Sequence, residues 1–279
     1  MKYPEFFLQG HRGTRGLMPE NTIPGMLKAI QDGANVLEMD LQFTADGVVI
    51  VAHDPFVNRT YSLDKTGADI PKSQARKHIF YRMNYSDVRL YDVGSKGNLK
   101  YLQQQKANAY IPELGELIAA VEKYVSDNKL QPVLYNVEIK AGPEGDLKLH
   151  PAPIHLIARV VSILKSANIE NRYYIQSFDP RQIQEVKKTC PEIPVAFLTA
   201  DNNKSVEQHL EPIGFEPEIF SPYFKIVTLE MVKESKDRGI KIIPWTVNQV
   251  KTMKSLMKMG VDGIITDYPG VLCQLRNES

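Results

Sequence analysis

KIIPWTVNQVKTMKSLMKMGVDGIITD, residues Lys241 to Asp267, reads as a strand, a helix and a second strand. KIIPWTV and VDGIITD are short, apolar and rich in β-branched residues, and QVKTMKSLMKMG between them has helical periodicity. Gly260 falls just before the second run, where a helix C-terminal glycine belongs. The unit recurs along the chain. FFLQG (from Phe6), NVLEMDLQF (from Asn35), VLYNVEIK (from Val133), RYYIQSF (from Arg172), PVAFLT (from Pro194) and EIFSPY (from Glu218) bring the strand-like runs to eight. Helical patterns lie between them, including PELGELIAAVEKYVSD, APIHLIARVVSILKSA, DPRQIQEVKKT and TLEMVKESKDRG, the last closing on Gly239. Eight alternating units predict an α/β fold, a (β/α)8 TIM barrel, and 279 residues suit one such domain.

One gap breaks the rhythm. After VVIVAHD, which predicts an extra strand beside the second, the next helical pattern starts only near Pro112. Structureless loops of this length are uncommon in a compact domain. The expectation is therefore a single domain, 1–279, with a small lobe inserted at about 55–110. Because it follows a strand end, the lobe should overhang the barrel's C-terminal face.

Lys and Arg number 34 against 33 Asp and Glu, which leaves no overall basic field of the kind that draws a chain to nucleic acid. The hydrophobic share is 43%, and no run reaches the roughly eighteen apolar residues of a membrane-spanning helix. Cys190 and Cys273 are too few for a disulfide framework and lack C-x-x-C spacing, so two unlinked thiols are expected. The start MKYPEFFLQG has no signal-peptide apolar segment or cleavage site. That pattern suits a cytoplasmic chain, or an exported one whose signal has been removed. Oligomeric state is not legible.

The strands carry charge where buried strands should not. Glu38 and Asp40 in VLEMDLQ are two apart, as are Glu138 and Lys140 in VEIK, so each pair shares one face of its strand. That face is either the barrel lumen or a solvated edge. The apolar Leu37, Met39, Val137 and Ile139 between them call for helices outside, which favours the lumen. Three converging buried carboxylates repel one another unless a cation joins them. All-oxygen ligation by Glu38, Asp40 and Glu138 suits Ca2+ or Mg2+ better than zinc.

His11 follows the first strand and His53 ends VVIVAHD, so both should stand at the same mouth. Two imidazoles can hold opposite protonation states, one taking a proton while the other gives one. His78, His150, His155 and His209 fall in the insertion, a loop or helices and read as structural. A cation, two histidines, Arg12 and Lys140 together imply displacement at phosphorus. Arg12 can fork onto phosphate oxygens, and Lys140 can act as a point charge.

HRGTRGLMPENT, LEMDLQFTADGVVIVAHDPFVNRT, VEIK, IQSF, PWTVN and VDGIITDYP, in this order, resemble the glycerophosphodiester phosphodiesterase family. The resemblance spans Gly10 to Pro269. It implies a (β/α)8 barrel, a divalent Ca2+ or Mg2+ ion, and hydrolysis of glycerophosphodiesters, the deacylated phospholipids, to glycerol 3-phosphate and an alcohol. It further implies that His11 and His53 are the acid/base pair, that Arg12 and Lys140 contact phosphate, and that Glu38, Asp40 and Glu138 hold the metal. Glu20 and Asn21 match the family's PENT. Asn21 either steadies the first loop, or touches the site, or with Thr22 caps the following helix. Gln176 and Phe178 alternate on the fourth strand as substrate-binding candidates, and Trp245 lies on the seventh, where it walls the glycerol side of the pocket; the alternative for Phe178 and Trp245 is core packing. Asp54 and Asp267 are expected to orient neighbours. Two alternatives share the plan: a cyclising phospholipase or lyase of the same barrel type, and a catalytically silent phosphodiester-binding protein. A silent protein should have lost a histidine or carboxylate, and all five are present.

Overall fold

The computed structural model describes residues 3–278; Met1, Lys2 and Ser279, and with them the first two positions of the MKYPEFFLQG start, lie outside the described residues. The strands are β1 (Phe7–Gly10), β2 (Val36–Phe43), β3 (Val49–Val51), β4 (Leu134–Ile139), β5 (Tyr173–Ser177), β6 (Val195–Thr199), β7 (Ile219–Pro222), β8 (Lys241–Ile242) and β9 (Gly263–Thr266). The helices are α1 (Ile23–Gln31), α2 (Tyr85–Val88), α3 (Leu114–Asp127), α4 (Pro153–Ser166), α5 (Pro180–Thr189), α6 (Val206–Leu210), α7 (Leu229–Asp237), α8 (Val250–Met259) and α9 (Pro269–Asn277). Eight parallel strands pair in the order β8-β7-β6-β5-β4-β2-β1-β9, and β3 adds to β2 as an antiparallel arm. Backbone bonds from Asp262 N–H to the Ile242 carbonyl (2.9 Å) and from Ile265 N–H to the Pro244 carbonyl (3.0 Å) join the two ends. The fold is a (β/α)8 TIM barrel.

Period two sorts the side chains of each strand. On β2, Leu37, Met39 and Leu41 belong to the large core shared with the helices, while Val36 joins Phe7, Leu134, Tyr174 and Ile265 in a separate apolar floor inside the barrel. The inward positions above that floor are Glu38 and Asp40 on β2, Asn136 and Glu138 on β4, and Gln176 on β5, so the lumen turns polar toward the C-terminal strand ends. The outer core is built by helices with one apolar stripe, such as Leu114, Leu117, Ile118, Val121 and Val125 on α3. Each fully buried side chain of this kind contributes roughly 1.5–3 kcal/mol. Gly260 ends α8 in the left-handed region, φ +86°, and Gly239 follows α7 at φ +73°. Among the helices of the barrel's second half, α6 and α9 lie outside the helical patterns quoted from the sequence. α6 has five residues, too few for a period, although Ser205 and Gln208 form a capping box at its start. α9 continues directly from the last strand through Pro269 at its first turn.

The β3–α3 connection contains only single turns and the short α2. Its apolar groups nevertheless cluster: Val57, Ile70, Phe80, Tyr85, Val88, Tyr91 and Ile111 are buried together, against Ile50 of β3. Cys190 and Cys273 are free. No helix among the described residues is long and apolar enough to cross a membrane.

Candidate active site

The loop from β1 to α1 folds back on itself, and its glycines permit this. A Cβ on Gly10 would lie 2.3 Å from the Gly13 carbonyl oxygen, and one on Gly13 would lie 2.6 Å from the Gly25 backbone. Gly13 also has φ +85°, beside Arg12 at φ +52°. This turn aims the Arg12 N–H at Glu38 Oε2 (2.7 Å) while the His11 N–H is held by the Thr266 carbonyl of β9 (2.8 Å).

His11 is buried, and its Nδ1 lies 2.7 Å from Asp267 Oδ1, just beyond β9. A proton on Nδ1 donates to that carboxylate, which leaves Nε2 bare, 3.9 Å from Glu38 Oε2. Burial and the Arg15 guanidinium lower the His11 pKa to about 3 against the pull of Asp267, so the ring is neutral. Burial would raise the Asp267 carboxyl, but His11 and Arg15 hold it well below the usual range. His53 stands in the loop after β3, its side chain 31% exposed, with Nδ1 3.3 Å from Asp54 Oδ1. Asn58 Nδ2 fixes Asp54 from the other side (2.7 Å).

Asp40 and Glu138 are register partners on adjacent strands, and Glu38 lies two residues below Asp40. The three carboxylates each offer an oxygen within 4.8 Å of the others. Glu38 Oε1 and Asp40 Oδ1 are buried without a hydrogen-bond partner, as cation ligands waiting for charge would be. Burial and the neighbouring carboxylates push Glu38 well above the usual range. Burial also raises Glu138, against the pull of Lys140. Asp40 goes the other way: burial is outweighed by Arg12, His53 and Lys140. The donor set and its orphaned oxygens fit a divalent cation.

Of the three carboxylates, Glu38 and Glu138 border a cavity of about 290 Å³. Its lining joins the polar groups of His11, Arg12, Glu38, His53, Glu138, Lys140 and Gln176 to Thr246 and the apolar Leu198, Phe178 and Trp245. Phe178 and Trp245 meet edge to face with centroids 5.2 Å apart, and Phe178 is 40% exposed, so it is a wall rather than core. Gln176 Nε2 reaches Glu138 Oε2 at 3.4 Å.

The glycerophosphoryl diester phosphodiesterase family model matches residues 11–271. The chain belongs to that family. It is accordingly an enzyme, a hydrolase of phosphoric diesters. A glycerophosphodiester phosphodiesterase of Caldanaerobacter subterraneus subsp. tengcongensis is 31% identical over 95% of each chain. One of Bacillus altitudinis is 28% identical, covering 96% of this chain and 97% of its own. The crystal structure of a putative glycerophosphoryl diester phosphodiesterase from Silicibacter pomeroyi superposes with a TM-score of 0.86 at 29% identity, covering 97% of this chain and 92% of that one.

Within this phosphodiesterase, two residues sit differently from a simple reading of the motif. Arg12 borders the cavity but is already gripped by Glu20 (2.7 Å) and Asp40 (3.0 Å), which fixes where its guanidinium points. Asn21 is not on the cavity wall. Its amide donates to Asp40 Oδ2 (2.8 Å) and accepts from the Asp40 N–H (3.2 Å), while Thr22 alone caps α1 through the Gly25 N–H. The sequence reading passed over three groups that converge on Asp267. Arg15 donates to both its oxygens (2.9 and 3.1 Å), Asn248 donates at 2.7 Å and the Tyr101 hydroxyl at 3.3 Å. Arg15 belongs to the quoted HRGTRG stretch, and its place four residues after His11 was the available signal.

Proposed function

We propose that the enzyme hydrolyses glycerophosphodiesters to glycerol 3-phosphate and an alcohol, with His11 as base, His53 as acid, and Ca2+ or Mg2+ held by Glu38, Asp40 and Glu138. The observation that carries this reading is His11: its Nδ1 is committed to Asp267, and its bare Nε2 faces the carboxylate cluster. When bound, the cation neutralises charge on the phosphoryl oxygens and polarises phosphorus toward attack. Its oxygen-only donor set favours a hard ion. Arg12 and Lys140 add positive charge to the cavity lining. His11 Nε2 takes a proton from water as its oxygen bonds to phosphorus, and the bond to the alcohol oxygen breaks. His53, steadied by Asp54, gives the departing alkoxide its proton. Phe178 and Trp245 supply an apolar wall for the glycerol carbons.

Release of glycerol 3-phosphate from a panel of glycerophosphodiesters tests this, using chelated enzyme with Ca2+ or Mg2+ restored and phosphorus NMR of the products. Restored activity with glycerol 3-phosphate as end product is expected. A persistent cyclic phosphate would replace hydrolysis with cyclisation, and full activity in the chelated enzyme would remove the metal.

A further inference from the structure

We propose that the tip of the β3–α3 connection, residues 96–106, docks on an anionic lipid bilayer at the rim of the catalytic cavity. Leu99 and Leu102 are 88% and 90% exposed, the barest large apolar side chains among the described residues. Tyr101 between them is buried, with its ring 5.0 Å from the Arg15 guanidinium and its hydroxyl on Asp267. Gln104 extends the clamp by donating to the carbonyls of Arg15 (2.8 Å) and Met18 (3.0 Å). The tip is thus pinned to the β1–α1 loop by one aromatic anchor, and that anchor turns both leucines outward. Isolated exposed leucines are ordinary; two held bare on either side of a fixed anchor have a shape suited to shallow insertion.

Charge identifies the partner. Residues 55–110 carry ten Lys and Arg against four Asp and no Glu, a surplus of six positive charges. The whole chain is +1, so the remainder has a surplus of five negative charges. Lys100 and Lys106 are exposed within the tip itself. A basic segment with protruding leucines matches a surface that offers both anionic headgroups and acyl chains; a nucleic acid offers only the first. Lys100 and Tyr101 also border a cavity of about 320 Å³ that reaches Arg12, Arg15 and His53, so docking sets the catalytic mouth at headgroup level. This surface goes beyond the proposed reaction and does not depend on it.

Cosedimentation of the full chain with phosphatidylcholine vesicles, with and without phosphatidylglycerol, tests the surface, alongside turnover of soluble glycerophosphocholine. The parent should partition onto the anionic vesicles, less so at high salt. Leu99→Ser with Leu102→Ser should weaken partitioning by at least about tenfold, given the apolar area of two leucines, and leave soluble turnover unchanged. The proposal is overturned if the parent stays in the supernatant with both vesicles, or if the double variant partitions like the parent. A concentration-dependent dimer that the same substitutions abolish, without vesicle binding, also overturns it and assigns the leucines to a second copy of the chain. Partitioning is read without turnover, so an inactive enzyme that still binds vesicles leaves this inference standing while the proposed reaction fails.

Discussion

Asp267→Asn should inactivate the enzyme by moving a proton from one side of His11 to the other. In the native site Asp267 Oδ1 accepts from His11 Nδ1 (2.7 Å) and Arg15 Nε (2.9 Å), and Oδ2 accepts from Arg15 Nη2 (3.1 Å), Asn248 Nδ2 (2.7 Å) and the Tyr101 hydroxyl (3.3 Å). Every neighbour is a donor, and an amide supplies only one oxygen. That oxygen belongs at the Oδ2 position, where three donors converge. Asn248 cannot turn to accommodate the opposite choice, because its Oδ1 accepts from the Asp267 N–H (3.0 Å) and Thr266 Oγ1 (3.2 Å). The new NH2 therefore faces His11 Nδ1. To avoid donor against donor the imidazole must accept there and carry its proton on Nε2, so it can no longer take one from water. Loss of a positioned base costs about 10²–10⁴-fold in kcat, or roughly 2.7–5.5 kcal/mol of transition-state stabilisation. Arg15 also loses its charged partner, which destabilises the fold by about 1.5–3 kcal/mol and lowers the melting temperature by several degrees. Steady-state release of glycerol 3-phosphate measures the first effect, thermal melts the second, and imidazole 15N shifts report the tautomer. A folded Asp267→Asn enzyme with kcat within about fivefold of the parent would refute the reasoning, since the tautomer would then carry no catalytic weight.

His11→Ala and His53→Ala should each cut turnover by at least ~100-fold, and the double variant should lose far less than the product of the two, because both act in one step; near-normal turnover in either removes that histidine from the mechanism. Glu138→Gln should weaken metal binding and activity together. Its metal-free form should be as stable as the parent or slightly more so, because burial already disfavours the charged carboxyl. Calorimetric titration with Ca2+ and Mg2+, with melts in chelator, checks both halves, and unchanged affinity would mean that the three-carboxylate site is wrong. Phe178→Ala should raise KM about two- to tenfold with kcat nearly unchanged, the scale of one edge-to-face aromatic contact; a collapse of kcat instead would place the ring at the reacting centre.

The barrel and the convergence of the three carboxylates were legible because a strand buried on both faces tolerates charge only in the lumen. Glu38, Asp40 and Glu138 stood out against Leu37, Met39 and Val137, and the same alternation that exposes them in the sequence points them to one space in the fold. The β3–α3 connection gave no such contrast. Phe80, Tyr85, Val88 and Tyr91 are core residues, yet each comes from a turn too short to establish a period. Sequence separation hid the rest. Asp267 lies 252 residues from Arg15 and 166 from Tyr101, and no local pattern announces a contact of that range. Arg15 in particular looks like a solvated charge in a glycine-rich loop until the barrel closes β9 against β1.

That closure also explains why histidine and arginine sit between glycines at the end of β1. The chain must leave the strand, place His11 against the last strand and Arg12 against the second, and return to α1 within twelve residues, from His11 to Thr22. Gly10 and Gly13 allow the loop's own backbone to approach within distances that any side chain would forbid. Arg12, in the left-handed region, is held there by Glu38 at its N–H and by Glu20 and Asp40 at its guanidinium. The proposed ligand carboxylates thus shape the loop that carries the proposed base. Removing one of them should loosen His11 as well as the cation, so metal affinity and the His11 tautomer are expected to change together in Glu38→Gln, and independent responses in calorimetry and 15N spectra would break that link.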